Sequence, residues 1–148
     1  MGSCHANQTI AILICSYDGS EDLWGPLHDA YDRYWPDNQY SIYLMTNYKD
    51  PNLVKFNVIK TGKEKSWTSK VTECINHIGT DYILITFDDL FPCAEFDNKN
   101  IEKLVNYSTS NKVNYLRLNN KPKYDRLINA DIGVIEKNRL YRTSLVWS

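Results

Sequence analysis

Two six-residue runs, Ile10 to Cys15 and Tyr82 to Phe87, are almost unbroken in apolar character, and each stops abruptly at polar residues. A strand wetted on one face alternates apolar with polar, so continuous runs of this length describe strands covered on both faces. Ser16-Tyr17-Asp18-Gly19-Ser20 closes the first run as a turn, and Asp88-Asp89 closes the second. Strands buried in this way need material above and below them, which points to the α/β class with Ile10 to Cys15 as a central parallel strand.

The intervening chain supplies that material. From Glu21 to Trp35, Leu23, Trp24, Leu27, Ala30, Tyr31 and Tyr34 recur at helical spacing, and Pro36-Asp37-Asn38 ends the pattern. Tyr40 to Met45 and Phe56 to Ile59 read as further strands. Ser66 or Thr68 caps a helix running to about Ile78, with Gly79 placed for a left-handed end. Ile101 to Ser108 predicts another helix, and Tyr115 to Leu118 another strand. Strands alternating with helices predict a mostly parallel sheet with helices on both faces.

The 148 residues suit one domain over 9–148, preceded by a polar leader over 1–8 that is set aside from the fold. Net charge is −1 with Lys and Arg dispersed, so the chain carries no electrostatic footprint for a nucleic-acid backbone. Cys4, Cys15, Cys74 and Cys93 lack CxxC spacing, and two of them fall in apolar segments, which favours free thiols in a reducing compartment. The run Ile10 to Cys15 is too short for a signal-peptide core with its flanks or for a membrane span of ~20 residues. The reading is of a cytoplasmic protein without a transmembrane segment, peripheral at most to the inner face of the membrane.

Open parallel sheets bind ligands at the carboxyl ends of their strands. The candidate positions are therefore Ser16 to Ser20, Asn47, Thr61 to Lys70, and Asp88 to Leu90. Adjacent carboxylates at a strand tip repel each other unless a cation sits between them, and Mg²⁺ or Mn²⁺ takes carboxylate oxygen together with water and substrate phosphate. The alternative is that Asp88 and Asp89 merely open the next loop. Tyr17 offers a stacking face, Asp18 an acceptor for an imide N–H or a ribose hydroxyl, and Lys70 a positive charge for diphosphate, or else a surface lysine. Trp67 packs on a nucleotide or staples its helix to the core, whereas His28 and His77 read as structural or surface residues.

Tyr82 to Phe91, with its Asp88-Asp89 pair and following aromatic, resembles the strand and acidic motif of GT-A glycosyltransferases, especially small bacterial ones of surface-polysaccharide pathways. Ser66-Trp67-Thr68-Ser69-Lys70 is similar to the start of the helix before that motif, and Tyr141 to Leu145 to a later segment leading to the acceptor half. The resemblance implies a hexosyltransferase-like enzyme that takes a nucleotide-diphosphate sugar as donor and a glycan or lipid-linked acceptor. It implies Asp88 and Asp89 as metal site and Ser16, Tyr17, Asp18, Lys70 and Asp88 as donor-binding residues. The family's acidic motif has an intervening residue that is missing here, which leaves the division of labour between the two acids open.

Acceptor-side acids Asp125, Asp131 and Glu136 match no pattern, so no catalytic base is assigned. Leu145-Val146-Trp147 reads as an element cut short, and the resemblance likewise implies missing acceptor-side helices and an apolar end open to self-association or a partner chain. A non-catalytic partner subunit, or truncated remnant, that keeps the nucleotide-sugar fold is the main alternative. A receiver-like domain places its acid pair after the first strand rather than here, and no glycine-rich loop supports a nucleotidyltransferase.

Overall fold

The computed structural model describes residues 10–116, 118, 123–130, 132–134 and, for the backbone, 146–147. Strand β1 (Ile10–Cys15) lies at the centre of a five-stranded sheet, flanked by β2 (Ile42–Thr46) and β4 (Tyr82–Phe87), both parallel to it. Next to β2 runs β3 (Phe56–Lys60), also parallel, while β4 pairs on its other edge with antiparallel β7 (Val146–Trp147). The order is β3-β2-β1-β4-β7.

All six residues of β1 are buried, because helices cover both sides of the sheet. On one face Ile10, Ile12 and Ile14 pack with Trp24, Leu27 and Tyr31 of α1 (Glu21–Tyr34), and with Ile101 and Val105 of α3 (Asn98–Ser110). Leu13 and Cys15 turn to the other face and meet Val71 and Cys74 of α2 (Trp67–Ile78). The period-two alternation of the strand thus feeds two separate apolar layers. The predicted α/β sheet with helices on both faces is what the chain forms, in a Rossmann-like arrangement.

Both predicted signals for α2 hold. The Ser66 hydroxyl accepts the Ser69 N–H at 3.2 Å, and Gly79 ends the helix at φ 68°, in the left-handed region that glycine enters without penalty. Helix α3 starts earlier than its apolar pattern, because Asp97 caps it by accepting the Asn100 N–H at 3.1 Å.

One expectation, the strand over Tyr115 to Leu118, differs from the structure. β2 and β3 are joined without a helix: residues 47–55 form a loop in which Leu53 packs against the α1 side of the core. Asp50-Pro51-Asn52 at its middle is incompatible with a helical turn. Tyr115, Leu116 and Leu118 are not in a strand, and Arg117 lies outside the described residues. Leu116 still packs on the core, but the sheet edge beyond β4 is taken by β7. A short hairpin, β5 (Arg126–Leu127) with β6 (Gly133–Val134), stands apart from the main sheet. Among the described residues, no helix is long and apolar enough to cross a membrane.

Candidate functional site

The chain leaves β1 for β2 through α1 on one face, and reaches β4 through α2 on the other. The sheet order therefore reverses direction at β1, which makes the carboxyl ends of β1 and β4 the topological switch point, the place where such sheets take ligands. Ser16 to Ser20 occupies one side of this switch point and Asp88-Asp89-Leu90 the other.

A side-chain hydrogen bond joins the two sides, next to the Asp88 N–H that donates to the Cys15 carbonyl at 3.3 Å. Ser16 Oγ donates to Asp88 Oδ2 at 2.6 Å, and accepts the indole N–H of Trp24 at 2.7 Å. With Trp24 buried at 2% exposure, the hydroxyl has one polarity available and is oriented toward Asp88. Asp88 is half-buried, Asp89 exposed, and among the described residues neither has an ion-pair partner. Two hard oxygen donors in this state suit a divalent cation that completes its shell with water and phosphate. No group of three or more His, Cys, Asp or Glu side chains able to hold a metal exists among the described residues, so the protein's own share of such a shell would come from these two acids.

The loop after β1 is held by the loop after β2. Asp18 accepts backbone N–H groups from Asn47 at 2.9 Å, Tyr48 at 3.0 Å and Lys49 at 3.3 Å, while its own N–H donates to Asn47 Oδ1 at 3.1 Å. Partial burial alone would raise the Asp18 pKa, but these donors outweigh it and hold the carboxyl below its usual range. Its side chain organises the two loops. Tyr17, by contrast, is 52% exposed, and its ring lies over Gly19, where an added Cβ would come within 2.3 Å of it. An available aromatic face thus stands beside the switch point.

Asn47 extends the network, donating through Nδ2 to the Gly62 carbonyl at 3.1 Å and to Glu64 Oε2 at 2.9 Å. Glu64 in turn pairs with Lys70 Nζ at 3.0 Å, and the Asn47 amide and Lys70 ammonium together hold its carboxyl below the usual range. Lys70 is not a surface lysine: it is buried on the inner face of α2 with Val71 and Cys74. Burial pushes the Cys15 thiol up to about 12; Cys74 and Asp88 push the same way, while the Trp67 indole and Lys70 oppose them. Cys15, the last residue of β1, packs in one layer with Val71 beside Lys70 and precedes Ser16, the partner of Asp88, so Lys70 and Asp88, both expected site residues, lie at one end of the sheet. Trp67, half-exposed, stacks on Phe87 with ring centroids 6.4 Å apart.

The structure brings together Ser16, Tyr17, Asp18, Asn47, Lys70 and Asp88-Asp89 at the strand ends. Asp125 sits on the separate hairpin, where its N–H donates to the Val134 carbonyl at 2.8 Å, and Asp131, Glu136 and Tyr141 to Leu145 lie outside the described residues. Glu64 falls within the candidate stretch Thr61 to Lys70, yet the sequence does not single it out, since one acid among Lys60, Lys63, Lys65 and Lys70 reads as ordinary surface charge. The helical register held a clue to it. Lys70 stands four residues before buried Cys74, on a face where a lysine needs a counter-charge.

Fold and site define an α/β Rossmann-like domain with an acid pair at its topological switch point. No family model, curated protein or solved structure matches the chain significantly.

Proposed function

We propose that this chain is a GT-A-type, glycosyltransferase-like domain that binds a nucleoside-diphosphate sugar at the β1/β4 switch point. The observation that carries the reading is the Ser16–Asp88 hydrogen bond, which orients one carboxylate of the acid pair at the point where such sheets take ligands. In this reading Asp88 and Asp89 hold Mn²⁺ or Mg²⁺ against the diphosphate, Lys70 adds positive charge, and Tyr17 stacks on the base. Ser16 and Asp18 act by fixing their neighbours. The sugar passes to a glycan or lipid-linked acceptor of surface polysaccharide synthesis, in a cytoplasmic setting.

In the transfer, the acceptor hydroxyl oxygen bonds to the anomeric carbon, the bond from that carbon to the diphosphate oxygen breaks, and the hydroxyl proton leaves to a base. A divalent cation held by Asp88 and Asp89 would supply charge stabilisation for the departing diphosphate. Asp89→Asn tests the site: Mn²⁺-dependent nucleotide affinity should disappear while the circular dichroism spectrum and melting curve remain those of the parent. Undiminished affinity in that variant rejects the assignment of the acid pair.

A further inference from the structure

Lys70 and Glu64 form an unequal pair. The lysine side chain is 6% exposed and fixed by a helix whose neighbouring residues Val71 and Cys74 are in the core, whereas Glu64 is 66% exposed on the loop between β3 and α2. That loop turns at Gly62 with φ 71°. A buried ammonium needs a compensating anion, and Glu64 is the one carboxylate it meets among the described residues. Among the described residues, the Glu64 carboxylate is held, apart from Lys70, only by the Asn47 amide, which also has the Gly62 carbonyl to donate to. Releasing Glu64 thus leaves the Asn47 bridge between the loops after β2 and β3 in place.

We propose that Glu64 is an internal stand-in for an anionic ligand: a diphosphate group takes over the Lys70 ammonium and displaces the Glu64 carboxylate into solvent. The proposal rests on the donor-site reading above and adds to it a built-in competitor. A singly charged anion would exchange like for like, so the exchange favours a ligand of higher negative charge, which gains more from the same buried cation.

Isothermal titration of inorganic pyrophosphate into the full chain, without metal, tests the exchange. Glu64→Gln keeps one acceptor oxygen, which can serve Asn47 and Lys70 together as Oε2 does, but removes the competing charge, and should bind pyrophosphate roughly fivefold tighter than the parent, the worth of one half-exposed ion pair. Lys70→Met should abolish the binding. Equal or weaker binding by Glu64→Gln overturns the proposal. A second readout needs no variant: the Asn47 amide and Lys70 hold the Glu64 carboxyl below its usual range, so in the parent its titration, followed by NMR, should move up toward the ordinary Glu range once pyrophosphate is bound, and an unmoved titration contradicts displacement. UDP and GDP titrations with Mn²⁺ separate the two readings. A gain for pyrophosphate without metal-dependent nucleotide binding supports the exchange and removes the transferase reading; metal-dependent nucleotide binding with no gain in Glu64→Gln does the reverse.

Discussion

Ser16 and Asp88, 72 positions apart in sequence, share a 2.6 Å hydrogen bond between the ends of two neighbouring parallel strands. The bond is short because the acceptor is a carboxylate, and it is directional because the Trp24 indole fills a lone pair of the same hydroxyl.

Ser16→Ala removes both contacts at once and strands a buried indole N–H. An unsatisfied buried donor costs about 1–3 kcal/mol, so the urea midpoint should fall accordingly with the slope unchanged. Metal-dependent nucleotide affinity should fall as well, since Asp88 loses the group that orients it. A variant as stable as the parent would mean that the Trp24–Ser16–Asp88 relay is not fixed in solution.

Asp18 predicts a pH dependence. Its pKa in the folded chain is held below the unfolded value by the backbone N–H groups of Asn47, Tyr48 and Lys49, against the opposing effect of partial burial. A depressed carboxylate contributes stability that is fully present above the unfolded pKa and is lost as pH falls through the folded one. Asp18→Asn should therefore lower the melting temperature at neutral pH, with the difference from the parent shrinking as pH falls below about 4, the ordinary range for Asp. A difference constant with pH would place the contribution of Asp18 in shape rather than charge.

Gly19 makes room for Tyr17. Because a Cβ at this position would come within 2.3 Å of the Tyr17 ring, Gly19→Ala should displace that ring while leaving the sheet intact. If Tyr17 stacks on a base, nucleotide affinity should fall by about as much as in Tyr17→Ala, roughly 1–3 kcal/mol for one stacked base, with pyrophosphate binding unaffected. Both variants can be read by the same titration.

Much of the fold was legible because its strongest signals are local. Continuous apolar character marked β1 and β4, and Ser66 and Gly79 bracketed α2 within a residue. The segment Tyr115 to Leu118 misled because an apolar stretch packs equally well without a ladder; Leu116 does so. The acids at the end of β4 were legible as a strand-terminal pair, but their link to Ser16 was not, since only the pairing of β1 with β4 brings the two together. Asn47 was read as a loop residue, yet it joins three loops through Asp18, Gly62 and Glu64. Such contacts depend on strand register, to which single-residue chemistry gives no access.

The central claim is a metal-assisted nucleoside-diphosphate site at the β1/β4 switch point. Its most direct test is isothermal titration of UDP and of GDP into the protein, each with and without Mn²⁺. The account predicts that one of the two nucleotides binds and that its affinity rises when Mn²⁺ is present; absence of binding by both, in protein shown to be folded by its melting transition, would contradict it.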